Sequence, residues 1–198
     1  FLIGSRRRDG SGVPLLAQVA RTDPSVEVRA SALEWLARSP GDEALNTIEQ
    51  LTRDESDERV QRAAVRALVG NPSPRARQLV RGIVERNETP EKLRLEALGA
   101  FDKERATSED VSWMRTLYTR SDNVRVKARI VNTLSNIGGP EVDQWLLTMA
   151  RDADESSDTR RYALRRVGRT LPIGELGKLY DSASERPIRE TLIETLAQ

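Results

Sequence analysis

Apolar residues recur along this chain in one short pattern, and the pattern itself returns about every 33 residues. Val28, Ala32, Leu33 and Leu36 stand at i, i+4, i+5 and i+8. Residues so spaced share one face of an α-helix, whereas a strand would need strict alternation. The set comes back as Val60, Ala64, Val65, Leu68; as Leu93, Ala97, Leu98, Phe101; and as Val126, Ile130, Val131, Leu134. Thr159, Ala163, Leu164, Val167 and then Ile188, Leu192, Ile193, Leu196 complete the series. Directly after the first position of each copy stand Arg29, Gln61, Arg94, Lys127, Arg160 and Arg189, at intervals of 32, 33, 33, 33 and 29 residues.

A second amphipathic segment precedes each copy. Its apolar residues are Val13, Leu16, Val19, Ala20; then Leu45, Ile48, Leu51; then Val80, Ile83, Val84. Val111, Met114, Leu117, Tyr118 follow, then Leu146, Met149, Ala150, and finally Ile173, Leu176, Leu179, Tyr180. Each unit therefore reads as a helical hairpin, and a period of this length is the mark of a repeat protein whose units bury their faces on one another. Helix breakers fall between units, at Pro40-Gly41, Asn71-Pro72-Ser73-Pro74, Gly138-Gly139-Pro140 and Pro172. Inside units, Asp23-Pro24-Ser25 and Thr89-Pro90-Glu91 predict a capping residue beside a proline in the first helical turn. The units run over about 12–40, 41–73, 74–107, 108–138, 139–171 and 172–198. Residues 1–11 read as the end of a truncated preceding repeat and its loop, and the sixth unit as one that either caps the stack or continues it.

Composition sharpens this picture. Charged residues make up 32% and hydrophobic residues 37%, with only 4% aromatic, as suits amphipathic helices around thin cores. Lys and Arg number 32 against 31 Asp and Glu, so no net field draws the chain to nucleic acid or to an anionic membrane, and any such attraction has to be local. No apolar run approaches the ~20 residues of a membrane span, and Phe1-Leu2-Ile3 is too short for the core of a signal peptide. Without cysteine, both the cytoplasm and an oxidising compartment such as the periplasm stay open.

The best copy, Asp23-Pro24 followed by Val28-Arg29, Ala32, Leu33 and Leu36, resembles the HEAT-repeat family, including the bacterial HEAT-like repeats described in phycobilisome lyases. The resemblance extends over nearly the whole chain. It implies an all-α fold, a right-handed α-α superhelix (an α-solenoid) of about six HEAT-like hairpins. It also implies a structural ladder in which Arg of each second helix binds turn carboxylates of its own and the neighbouring unit. Residues placed for that ladder are Asp23 with Arg29, Glu88 with Arg94 and Asp154 with Arg160, together with Lys127 and Arg189. Gln61, Ser121 and Ala183 at the matching positions predict weaker rungs.

Candidate chemistry is scarce. The chain has neither His nor Cys, which removes Ser-His-Asp and Cys-His mechanisms and His or Cys metal centres. The acidic runs Asp54, Glu55, Asp57, Glu58 and Asp152, Asp154, Glu155, Asp158 lack the Gly and Glu of a calcium loop. They read as acids gathered at the N-terminus of a second helix, where the dipole favours them. We therefore expect no catalytic residues, no cofactor and no metal, and a protein that binds a protein or peptide partner.

Exposed positions of the second helices are where such a partner would be met. One column reads Glu34, Arg66, Gly99, Asn132, Arg165, Glu194; its neighbour reads Trp35, Ala67, Ala100, Thr133, Arg166, Thr195. Arg160, Arg161, Arg165, Arg166 and Arg169 crowd one segment, and like charges four residues apart repel, which suggests an acidic partner. The candidate partner-binding residues are Trp35, Arg66, Arg129, Arg161, Arg165, Arg166 and Arg169. Trp113 and Trp145 take similar places in consecutive first helices and read as filler of the seam. Two other readings follow from family analogy: nucleic-acid binding through a basic concave face, as in HEAT-like DNA glycosylases, and a role like that of a bilin lyase or chaperone.

Overall fold

The computed structural model describes residues 11–197 and is all-α over them. Twelve helices are seen among the described residues: α1 (Val13–Thr22), α2 (Val26–Leu36), α3 (Asp42–Asp54), α4 (Glu58–Gly70), α5 (Pro74–Glu85), α6 (Glu91–Leu98), α7 (Ser108–Arg120), α8 (Val124–Ile137), α9 (Pro140–Arg151), α10 (Ser157–Val167), α11 (Ile173–Ser182) and α12 (Arg186–Leu196). They pair as hairpins 1 to 6, each an odd-numbered helix followed by an even-numbered one. The chain divides into two compact units, residues 1–101 and 102–198, each with three hairpins. Within each, hairpins lie side by side, the α-solenoid manner of burying a thin core. Phe1 to Gly10, where the end of a preceding repeat was expected, and Gln198 lie outside the described residues.

Helix starts are set by local hydrogen bonds. The side chains of Ser25, Ser73, Asn123 and Ser156 accept from the backbone N–H three residues on, at 3.3, 3.1, 3.0 and 3.2 Å. Thr107 and Asp110 cap α7 reciprocally, and Asp57 Oδ1 accepts from Arg59 and Val60 to start α4. Such a cap is worth about 1 kcal/mol. Two expected caps move: Ser25 rather than Asp23 caps α2, and Pro90 itself stands at the N-cap of α6 in place of Thr89. Gly41, Gly138 and Gly139 adopt φ of 92°, 69° and 102°, a region that L-residues resist, and so turn the chain between hairpins.

The periodic apolar positions form the core. Ala32, Leu33, Leu36, Val60, Ala64, Val65, Val126, Ile130 and Leu134 are all fully buried, each large side chain contributing about 1.5–3 kcal/mol. Helix α6 stops at Leu98, shorter than its repeat predicts, where Gly99 weakens the helix; Phe101 is nevertheless buried. In α12 the pattern splits. Ile188 and Leu192 are buried, but Ile193 and Leu196 are 53% and 44% exposed.

Candidate interaction surfaces

Among the described residues the buried charges other than Asp110, which caps α7, belong to the ladder. Arg94 and Arg160 are each 8% exposed and Glu55 9%, and charges so removed from water must be met by hydrogen bonds. Arg94 Nε donates to the Val84 carbonyl at 2.8 Å, and Arg160 Nε to that of Ala150 at 3.3 Å. Both carbonyls lie at the C-terminus of the first helix of the same hairpin, where the dipole favours a cation. The far end of the guanidinium crosses to the next hairpin: Arg29 Nη1 meets Glu55 Oε2 at 3.1 Å, and Arg160 Nη1 pairs with Glu185. Glu185 thus supplies the rung that Ala183 seemed to lack.

The acids six residues upstream serve elsewhere. Asp23 Oδ1 accepts from the Ser25 N–H at 2.9 Å, the Asp154 N–H donates to Asp152, and Glu88 is exposed.

Where the ladder residue is Lys127, an aromatic completes it. The ammonium lies 4.8 Å from the centre of the Tyr118 ring, and the Tyr118 hydroxyl donates to Glu155 of hairpin 5 at 2.8 Å. Trp145 of hairpin 5 meets the same ring edge-on, at 5.4 Å between centres. Burial, reinforced by the hydrogen bond to Glu155, holds the Tyr118 hydroxyl above its ordinary pKa near 10. Trp145 is nearly buried and so fills a seam, while Trp113 is half-buried. Arg189 repeats the arrangement over Tyr180, at 4.9 Å.

The arginines of α10 do not form one open patch. Arg161 Nε donates to Thr191 Oγ1 at 3.3 Å and its guanidinium lies 3.8 Å from Asp158. Arg165 faces Glu194 at 3.9 Å, Arg166 donates to the Ser135 carbonyl at 2.5 Å, and Arg169 is exposed on the 3-10 turn Gly168–Thr170. Arg129 is half-buried on α8. In physical terms, i,i+4 repulsion along α10 is relieved by Glu194 of α12, by Asp158 and by backbone oxygen.

A different surface opens in the first unit. A groove of about 550 Å³ runs between α2 and α4, floored by Ala30, Ala37, Ala63, Ala67 and Gly70. Glu27, Glu34 and Arg38 stand on the α2 side, Arg59 and Arg66 on the α4 side. Arg59 reaches Glu27 only at 3.9 Å, with both side chains about 80% exposed. Arg66 and Arg62 hold Glu96 of α6 from two sides, at 2.7 and 2.9 Å, which fixes the α4 bank. Trp35, half-buried under Arg38 at 5.2 Å, does not line the groove. The missed signal is the run of small residues on the exposed side of two neighbouring second helices.

Hairpins stacked through such a ladder define a helical-repeat protein. Residues 13–99, the span of α1 to α6, match the family model of HEAT repeats. No curated protein sequence matches it. Among solved structures it is similar to human deoxyhypusine hydroxylase in complex with glycerol, with 15% identity, 99% of this chain and 96% of that one covered, and a TM-score of 0.41. It is also similar to the CpcE–CpcF complex of phycocyanin lyase from Nostoc sp. PCC7120, with 18% identity, 97% of this chain and 77% of that one covered, and a TM-score of 0.40. Neither activity transfers to this chain on such a likeness. Among the described residues no helix is long and apolar enough to cross a membrane.

Proposed function

We propose that this chain is a non-catalytic HEAT-repeat scaffold that binds a protein partner, and that a helical or extended segment of that partner sits in the groove between α2 and α4. The observation that carries this is the groove itself: a floor of Ala and Gly between a bank with Glu27 and Glu34 beside Arg38 and a basic bank of Arg59 and Arg66. Small side chains let a second backbone approach closely, and charges on the two banks set its register and direction. A partner with basic residues on one side and acidic residues on the other complements both banks. A protein partner is supported over a phosphate backbone because Arg161 and Arg165 of α10 lie opposite Asp158 and Glu194, which offsets part of the positive charge there.

A photo-crosslinking residue placed at Ala63 tests this in cells. It is expected to capture a discrete protein, and capture is expected to fall when Ala67→Trp fills the groove. Equal capture from Gln78, exposed on the first helix α5, or capture unaffected by Ala67→Trp, excludes the groove.

A further inference from the structure

Hairpins 4 and 6 are one design repeated at an offset of 62 residues. Met114, Tyr118, Lys127, Val131 and Leu134 have Leu176, Tyr180, Arg189, Ile193 and Leu196 as their counterparts. The cation sits over the tyrosine in both, at 4.8 and 4.9 Å. Their surroundings differ. Hairpin 5 closes over hairpin 4: Glu155 accepts from the Tyr118 hydroxyl, Trp145 lies edge-on to its ring, and Arg166 reaches the Ser135 carbonyl. Val131 and Leu134 are then 4% and 0% exposed. In hairpin 6, Ile193 and Leu196 are 53% and 44% exposed, Arg189 is exposed and Tyr180 half-buried. Among the described residues no carboxylate meets Tyr180 or Arg189.

We propose that this open face of α11 and α12 is a docking surface for one further helical hairpin with the chemistry of hairpin 5. That hairpin presents aliphatic side chains to Ile193 and Leu196, an aromatic ring to the edge of Tyr180, and a carboxylate in its turn to the Tyr180 hydroxyl and Arg189. Two independent observations converge here, an uncovered apolar pair and a ladder cation without the acid that Arg29 and Arg160 have. A second copy of this chain offers its first hairpin poorly. Trp145 and Glu155 stand 15 and 5 residues before Arg160, and the same places before Arg29 hold Pro14 and Pro24. The occupant is therefore a hairpin of another sequence. This surface is independent of the groove between α2 and α4, and either proposal stands if the other fails.

The probe is hairpin 5 itself. A copy of residues 137–169 joined directly after Gln198 keeps the 62-residue offset and sets the copied Trp145 and Glu155 against Tyr180 and Arg189. The added segment is expected to resist trypsin roughly tenfold or more beyond an unstructured tail, because cleavage follows the population of the undocked state. Ile193→Asp is expected to abolish that protection while leaving the unextended chain folded, since Ile193 is already half exposed. Replacing the copied Glu155 by Lys is expected to reduce protection in part. An added segment cleaved as fast as a tail, or protected equally with Ile193→Asp, overturns the proposal. So does concentration-dependent self-association of the unextended chain, in sedimentation, that Ile193→Asp removes.

Discussion

In hairpin 5 a buried arginine, Arg160, ties its own first helix to the turn acid of hairpin 6. In hairpin 4 the cation is Lys127, which stays on the Tyr118 ring and leaves the crossing to the tyrosine hydroxyl. The two rungs do the same work with different groups, because what the fold requires is a donor that reaches the next turn carboxylate. A guanidinium has a planar fork of donors that can serve two acceptors at once; an ammonium is a point charge and needs a partner to reach the second. Arg160 consequently concentrates in one side chain what hairpin 4 spreads over two.

That difference predicts unequal costs. Arg160→Ala removes the donor to both the Ala150 carbonyl and Glu185, and breaking a buried pair in this way costs about 3–5 kcal/mol. Urea unfolding of the whole chain measures it. Lys127→Ala, which loses a cation over an aromatic ring, is expected to cost about 0.5–1 kcal/mol. Equal costs for the two would refute the division of labour.

Tyr118→Phe comes between them, at about 1.5 kcal/mol for a hydrogen bond to a carboxylate. It also carries a pH signature. The folded state holds the Tyr118 pKa above its unfolded value near 10, so the stability gained is whole below that pH and is lost as pH rises through the folded value. Urea unfolding above pH 10 should therefore show a shallower decline for Tyr118→Phe than for the parent chain. A parallel decline would mean that neither burial nor the bond to Glu155 raises the hydroxyl's pKa in the folded state.

Much of this was legible in the chain. The i, i+4, i+5, i+8 spacing placed the second helices because the pattern is local to one helix face, and glycines and prolines marked where they stop. The ladder was half legible: Arg29, Arg94 and Arg160 stood out, but the acids they use did not. Glu55, Glu155 and Glu185 lie 25 to 37 residues from their partners, and which turn acid is reached depends on how one hairpin rotates on the next. Tyr118 and Tyr180 each stand nine residues before the ladder cation, a signal the apolar pattern absorbed as core. The arginines of α10 looked like one patch because a sequence shows their shared sign but not Glu194, nearly thirty residues on, that faces one of them. The groove was hidden for the opposite reason: half-buried alanines, with Ala67 buried beside them, look like nothing in particular until two helices set them face to face.

The smallest expected effects lie on the surface and compare the exposed arginines of the two units. Arg165 meets Glu194 at 3.9 Å with both side chains more than half exposed, and such a pair gains little over hydration, so Arg165→Ala should change stability by less than about 0.5 kcal/mol. Arg66 is similarly exposed, but Glu96 is held by Arg62 as well and is itself only 21% exposed. Arg66→Ala should cost somewhat more, up to about 1 kcal/mol, and Arg62→Ala together with it more than the sum, since the double change leaves a partly covered carboxylate without either cation. The contrast is salt-dependent: in 1 M NaCl, where the Debye length falls to about 3 Å, the Arg165 effect should vanish while part of the Arg62–Arg66–Glu96 coupling persists. A double-mutant cycle at low and high salt reads this directly, and a coupling that disappears at high salt would show Glu96 to be as well hydrated as Glu194.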